Sequence, residues 1–507
     1  MKFLGIVSTL LLPLILAAPT QKSTLPIVEL DYVKQQATFE TPEYVVYKNV
    51  RFAAPPLGDL RLRKPQPPLK ETAVQNGNYS TKTSCASIME GQEDCLFLDV
   101  YVPKLSSCDS KEKLPVLAWW YGGGYMVGSK DQTPIPPGWT NTSIGAKPYI
   151  FVAANYRLAA LGFMAPDNQD IDANIGLHDT MAAMRWIGKY INKFGGDPNR
   201  VTVSGLSAGG GVVEHSLVSY GGKGTLLPYQ QAILYSPGWM PEIDRTQRDH
   251  PWEAFKNATG CKDAACIRKL PTKTILQAQA WVIAHSDITR NPWFMPIVDG
   301  DFMPEEPLRL LQSGKVHKEV KSIVASNVRH EGNSFVPPDI TPAEVESQFN
   351  RFSSNQTIVN KIKQLYPSDG TSNAHLNRFI DFISDIAFNC NSYHMARQWS
   401  ADKKHSAHRY MFNVGTAQHG SDQAFTFGNA KGVDPYLIIQ QQGWVTDYAT
   451  KGADSLGDSW NWPEWDEDVG EGMWMNDTGM AVGKDYFGWP RYQERCQFIG
   501  DIIDKRH

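Results

Sequence analysis

The amino-acid sequence predicts an α/β protein with a mostly parallel central sheet and helices on both faces. Three observations carry this. Apolar runs of strand length recur, at residues 114–120, uniformly so, and 149–156, and such runs suit strands buried on both faces. A segment with helical apolar spacing, residues 180–194 (Met181, Met184, Ile187, Ile191, Phe194), separates strand-like segments, and alternation of this kind builds parallel sheets. The 507 residues are 42% hydrophobic and 20% charged, the balance of a globular chain with a large core.

Taken in order, residues 1–18 read as a secretory signal peptide. Lys2 precedes an apolar run that ends in Ala17 and Ala18, where cleavage is expected. The run is short for a membrane span and contains Pro13. No second stretch of spanning length follows, so a secreted protein without a stable membrane anchor is expected. Residues 19–507 are read as a single domain, although length alone would suggest about three at ~150 residues each. A net charge of -4 and a pI near 6.3 give no basic footprint for nucleic acid. Five Asn-x-Ser/Thr acceptors, Asn78, Asn141, Asn257, Asn355 and Asn476, fit export and glycosylation.

Seven cysteines are present, and in an oxidising compartment most should pair. Proximity in the chain favours Cys85–Cys95 and Cys261–Cys266. Cys390 and Cys496 would then close a long loop and leave Cys108 unpaired. The spacings do not resemble zinc-ligand pairs, so no structural metal is expected.

Residues 40–68 begin as a strand and end in a proline-rich traverse, and residues 93–103 alternate like a strand. The helical segment 180–194 stops at Gly195-Gly196-Asp197-Pro198. Residues 432–489 differ from the rest. They hold Trp444, Trp460, Trp462, Trp465, Trp474 and Trp489 among many Gly and Asp, and are read as loops packed by their own aromatics rather than as a surface for rings or sugars.

The chemistry centres on Gly205-Leu206-Ser207-Ala208-Gly209, a G-x-S-x-G pattern. The β-branched run Val201-Thr202-Val203 precedes it, and residues 212–218 read as a helix. Strand, sharp turn and helix make a nucleophile elbow, in which small neighbours leave room for a strained serine. The Ala208 N–H at the helix start can then face a developing negative charge.

A serine nucleophile needs oxyanion donors, a base and an orienter for that base. Tyr121-Gly122-Gly123-Gly124-Tyr125 directly follows the apolar run 114–120. Bare backbone there lets the N–H groups of Gly123 and Gly124 join Ala208 in a three-donor hole. His419 lies in a glycine-bracketed loop, residues 415–422, after a strand-like segment, which suits a base. His405 and His408 sit in a charged stretch and read as solvated. His178 and His215 fall in helical segments and read as structural. Glu331, after the strand-like 321–326, is the candidate orienter, with Asp299, Asp301 and Asp385 as competitors.

Together these stretches resemble the type-B carboxylesterase/lipase family, the cholinesterase-like branch of the α/β-hydrolases. The resemblance runs through residues 47–58, 93–100, 121–124, 155–157, 174–179, 194–198, the elbow, 296–300, 330–332, 419–422 and 425–428. The overall look is that of secreted fungal members. The resemblance implies an α/β-hydrolase fold, a Ser207–Glu331–His419 triad and an oxyanion hole from Gly123, Gly124 and Ala208. It also implies the disulfides Cys85–Cys95, Cys261–Cys266 and Cys390–Cys496, and no cofactor. The expected activity is hydrolysis of small to medium neutral carboxylic esters. A lipase acting on long-chain acylglycerols and a non-catalytic binding protein are the competing readings.

Three departures from the family pattern bear on substrate. Leu206 stands where the family usually has Glu, which weakens the case for a cationic substrate. Tyr121 stands where His is common. The Cys85–Cys95 loop is short where family lipases carry a long lid, so an open gorge without interfacial activation is expected. The natural ester and the oligomeric state are not legible in the sequence.

Overall fold

A computed structural model describes residues 25–79, 83–88, 90–104, 112–132, 136, 148–167, 169–241, 246–285, 294–353, 355–368, 370–485 and 492–504. The signal segment, Cys108, Asn141 and Trp489 lie outside the described residues.

A small antiparallel pair, β1 (Ile27–Glu29) and β2 (Lys34–Gln36), precedes the main sheet. That sheet contains β3 (Phe39–Glu40), β4 (Tyr44–Arg51), β5 (Phe97–Pro103), β6 (Leu114–Trp120), β7 (Ile150–Ala154) and β8 (Gly196–Leu206). It continues with β9 (Gln231–Tyr235), β10 (Ser322–Val328), β11 (Ser406–Asn413), β12 (Glu471–Asn476) and β13 (Gly479–Lys484). Their order is β13-β12-β11-β10-β9-β8-β6-β7-β5-β4-β3. From β7 to β12 every pairing is parallel, and the antiparallel pairings lie toward the edges. The fold is therefore α/β with a mostly parallel sheet.

Side chains alternate across the sheet with period two. On β6, Val116, Ala118 and Trp120 enter one core, and Leu117 and Trp119 the other. Helices Ile175–Tyr190, Ala208–Val218 and Cys390–Ser400 cover the first face with residues such as Met184, Val213 and Trp399. Helix Pro435–Lys451 covers the second with Leu437, Trp444 and Tyr448. Both faces of the central strands are thus dry, which is why β6 and β7 read as unbroken apolar runs.

Two sequence expectations change. The predicted helix 180–194 is Ile175–Tyr190, followed by a 3-10 turn, Ile191–Phe194, that ends at Gly195 with φ 88°. Its first turn is hidden in the sequence because buried polar residues break the apolar rhythm. Asp179 there is 0% exposed and takes a fork from Arg157, Nε at 2.8 Å and Nη2 at 2.7 Å. The tryptophan-rich section is not a set of loops. It forms helices Pro435–Lys451 and Asp454–Trp460 with strands β12 and β13. Trp444, Trp462, Trp465 and Trp474 are buried and serve as core.

Several motif residues act as clasps that hold loops to the sheet. Arg61 grips Glu93 with two bonds of 2.6 Å and donates to the carbonyls of Ile267, Arg268 and Leu270. Asn155 donates to Thr83 O and Cys95 O. Asn174 donates to Ile297 O and Asp299 Oδ2, both at 2.8 Å. Disulfides join Cys85 to Cys95, Cys261 to Cys266 and Cys390 to Cys496.

Candidate active site

The site forms at the carboxyl ends of adjacent parallel strands, where open α/β sheets place ligands. β8 ends at Leu206, and the chain turns through Ser207 into helix Ala208–Val218. Ser207 has φ 58° and ψ -124°. A non-glycine residue there is strained by about 1–3 kcal/mol and persists only when its surroundings fix it. Three backbone bonds do so. The Ser207 N–H donates to Tyr235 O at 2.9 Å, and Ser207 O accepts from Gly211 N at 2.8 Å and Gly238 N at 2.9 Å. The turn also requires bare neighbours. A Cβ on Gly209 would lie 2.2 Å from Trp120 O.

The glycine loop after β6 abuts this turn. A Cβ on Gly122 would stand 2.8 Å from Ser207 Cβ. Gly123 and Gly124 have φ 118° and 61°, so their peptides turn in a way that other residues rarely permit. Among the described residues no backbone acceptor takes the N–H of Gly123, Gly124 or Ala208. Three backbone donors are therefore unspent around Ser207. Tyr121, the departure from the usual histidine, stacks on Tyr156 at 4.8 Å. Each hydroxyl donates to the other's carbonyl, at 3.2 and 3.1 Å.

Glu331 follows β10 and His419 follows β11. His419 Nδ1 lies 2.5 Å from Glu331 Oε2. Glu331 is 0% exposed, and its Oε1 accepts from Val328 N at 2.9 Å and Asn327 Nδ2 at 3.4 Å. These bonds aim the second oxygen at the imidazole. His419 Nε2 is buried and has no partner among the described residues. The histidine loop reaches the elbow, because a Cβ on Gly420 would touch Leu206 Cδ2 at 3.7 Å. Phe388 lies 4.3 Å from the His419 ring, and a Cβ on Gly238 would stand 2.7 Å from Phe388 Cε1 and 3.3 Å from the Ser207 carbonyl carbon. Phe335, 42% exposed, meets His419 at 5.0 Å.

The structure separates the competing acids from this site. Asp299 accepts from Asp301 N, Met303 N and Asn174. Asp301 pairs with Lys64 at the surface. Asp385 is buried with Tyr366, Asn389 and Arg495. His178 and His215 are buried, and burial drives their pKa values down to about 3 and about 4. His408 is not solvated, contrary to what the charged sequence suggests. It lies on β11 at 2% exposure, with its pKa driven down to about 4 by burial. His405 is held by Asp402 Oδ1 and Lys318 O, both at 2.8 Å.

Sequence reasoning misses three participants. Asp422 is 0% exposed, and its carboxyl faces only the backbone N–H groups of Asp422 and Gln423, among the described residues, without a well-formed bond. Burial first, then the charge of Glu331, pushes its pKa up to about 7. Its only signal is its place as the last residue of the histidine motif. Tyr125 links the glycine loop to Gly238 O at 2.8 Å, and it closes the glycine motif. Phe388 carries no local signal. No group of His, Cys, Asp and Glu suited to a metal ion occurs among the described residues. No helix there is long and apolar enough to cross a membrane.

Comparison with known proteins places this geometry. The chain is 30% identical over 493 residues to carboxylesterase patB of Aspergillus clavatus, covering 84% of this chain and 86% of that one. It is 27% identical to the para-nitrobenzyl esterase of Bacillus subtilis, covering 91% and 97%. The crystal structure of Aspergillus niger EstA aligns with a TM-score of 0.82 at 25% identity, covering 95% of this chain and 99% of that one. A sequence model described as the carboxylesterase family matches residues 33–481. With that match spanning most of its length, the chain belongs to the carboxylesterase family and is a carboxylic ester hydrolase.

Proposed function

We propose that the protein is an exported serine esterase that cleaves small to medium neutral esters through an acyl-enzyme on Ser207. The observation that carries the reading is the 2.5 Å Glu331–His419 bond beside the strained Ser207 turn, with His419 Nε2 buried and uncommitted. A base in that state is set to accept a proton from a hydroxyl placed against it.

In the first half-reaction His419 takes the Ser207 proton as Oγ attacks the ester carbonyl. The oxyanion forms against the N–H groups of Gly123, Gly124 and Ala208, each worth roughly 3 kcal/mol in the transition state. Ionised Glu331 holds the Nδ1–H tautomer and stabilises the imidazolium. His419 then protonates the leaving alkoxide. Water repeats the sequence on the acyl-enzyme and releases the acid. No step calls for a cofactor.

The pocket features support neutral esters. Leu206 packs among apolar side chains beside the nucleophile and brings no charge there. The short Cys85–Cys95 loop leaves little chain for a lid, which favours monomeric esters over lipid droplets. Export follows from the signal segment. Of the acceptors Asn78, Asn257, Asn355 and Asn476, the first three are exposed, as glycosylation requires. Asn476 is half-buried and accepts from Asn413 Nδ2 at 3.1 Å. Residues 19–507 are read as one hydrolase domain, stapled by the three disulfides.

The test is hydrolysis of p-nitrophenyl acetate, butyrate and palmitate by wild type and Ser207→Ala. Cleavage of the two short esters with a loss of several orders of magnitude in the variant is the expected result. Equal rates in the two proteins would remove Ser207 from the mechanism. A rate that jumps when palmitate passes from monomer to droplet would favour a lipase.

A further inference from the structure

Behind the Ser207 turn lies a buried carboxyl that the hydrolytic steps do not use, Glu214 on helix Ala208–Val218. Glu214 is 0% exposed, and neither carboxyl oxygen has a hydrogen-bond partner among the described residues. Burial pushes its pKa up to about 8, so the group is mostly the neutral acid at neutral pH.

Among the described residues no cation faces it. On its own helix is His215, which burial holds neutral and whose Nδ1 lies 2.6 Å from Gly211 O. From the segment after β9 comes the Trp239 indole, whose N–H is turned toward the carboxyl but makes no well-formed bond. From the glycine loop comes Tyr125. Glu306 lies beyond His215 and Trp239, lining the same small cavity as both.

Tyr125 connects the surroundings of Glu214 to the reacting atoms. It directly follows Gly123 and Gly124 and has φ 61°. Its hydroxyl donates to Gly238 O at 2.8 Å, and Gly238 N donates to Ser207 O at 2.9 Å. This clasp fixes the donor loop against the elbow. The Tyr125 hydroxyl also sits 2.1 Å from where a Cβ on Gly211 would stand, nearly one helical turn before Glu214. Helical side chains lean toward the helix N-terminus, which carries the Glu214 carboxyl toward that hydroxyl. Burial first, then the charge of Glu214, holds the Tyr125 phenol well above its ordinary pKa.

We propose that neutral Glu214 is a positioning residue for the oxyanion donors, acting through the Tyr125 hydroxyl, and that its ionisation is an alkaline off-switch. The inference rests on the esterase reading of Ser207 and deepens it. A phenol has one proton to donate. While Glu214 is neutral, Gly238 O receives it. Once ionised in these dry surroundings, the carboxylate has, among the described residues, the Tyr125 O–H and the Trp239 N–H to solvate it. It draws the phenol proton away from Gly238 O, and the clasp opens. Gly123 and Gly124 then lose their aim at the developing oxyanion, so kcat falls while KM does not.

The experiment is the pH dependence of kcat and KM for p-nitrophenyl butyrate between pH 6 and 10, in wild type, Glu214→Gln and Tyr125→Phe. Wild-type kcat should fall in one single-proton step and lose at least fivefold by pH 9.5 at constant KM. Both variants should lack the step, whatever their rates at pH 7. A step kept in either variant overturns the proposal. Thermal unfolding without substrate separates this from the esterase reading. A buried acid with a raised pKa costs the fold stability as pH rises from the unfolded value toward the folded one. Wild-type Tm should therefore fall relative to Glu214→Gln from about pH 5 to about pH 8, and stay level above, even if no ester is cleaved. Parallel Tm profiles would also overturn the proposal.

Discussion

Glu331→Gln removes the charge of the proposed orienter while keeping its shape, and the hydrogen bonds around it set the size of the effect. Glu331 Oε1 accepts from Val328 N and Asn327 Nδ2, and Oε2 faces His419 Nδ1. A glutamine must choose. With its carbonyl toward Val328, its NH2 meets Nδ1, which must then accept, leaving the proton on Nε2. That tautomer cannot take a proton from Ser207. With the amide reversed, the tautomer is right, but NH2 confronts two buried donors. Each unmade bond of this kind costs about 1–3 kcal/mol, so the active arrangement lies roughly 2–6 kcal/mol uphill. At 1.36 kcal/mol per decade this is a loss of about 30-fold to 10⁴-fold in kcat. KM should stay within about threefold, because neither atom touches the bound ester. Steady-state kinetics on p-nitrophenyl butyrate, with circular dichroism to verify folding, measures both. A kcat within fivefold of wild type would refute the reasoning, since neither amide orientation would then carry its cost.

Close contacts and burial give two further expected outcomes. Gly122→Ala sets a Cβ 2.7 Å from Leu206 O and 2.8 Å from Ser207 Cβ; backbone must move by the proposed nucleophile, so kcat should drop at least ~100-fold with only ~1–3 kcal/mol of destabilisation, and a variant of normal activity would show the loop to be slack. Asp422, a carboxyl whose folded pKa is raised to about 7, stabilises the fold fully below its unfolded pKa and loses that contribution as pH rises through about 7. Asp422→Asn should therefore gain on wild type between about pH 4 and pH 7, by on the order of 4 kcal/mol at 1.36 kcal/mol per pH unit, and Tm curves that stay parallel over that range would contradict it.

What the sequence discloses is uneven, for physical reasons. β6 is delimited to the residue, because a strand dry on both faces carries no polar residue to blur its ends. The Ser207 turn is legible because its strained backbone demands glycine and alanine at fixed offsets. Helix Ile175–Tyr190 shows itself late in the chain because His178 and Asp179 are buried, and Asp179 is neutralised across space by Arg157. The section from Gly432 onward misleads because glycine and aspartate suggest loops, whereas Trp444 and Trp462 pack edge-on at 5.2 Å in the second core. Pairings such as Phe388 with His419 or Tyr125 with Gly238 join residues far apart in the chain and leave no local trace.

The order of the sheet has a consequence for life at high concentration. Among the described residues the sheet's eleven strands could present two long unsatisfied rims, each a template for another copy. One rim is β3, only two residues long. The other, β13, carries Gly479, Gly483 and Lys484 on its six residues, and Lys484 is tethered to Glu471 of the neighbouring strand. Brevity at one end and glycine with a tethered cation at the other discourage recruitment of foreign strands. The long apolar strands that give the sheet its stability are kept in the middle, away from either rim. The protein can therefore hold a large aggregation-prone inventory of valine, isoleucine and tryptophan without offering it to its neighbours.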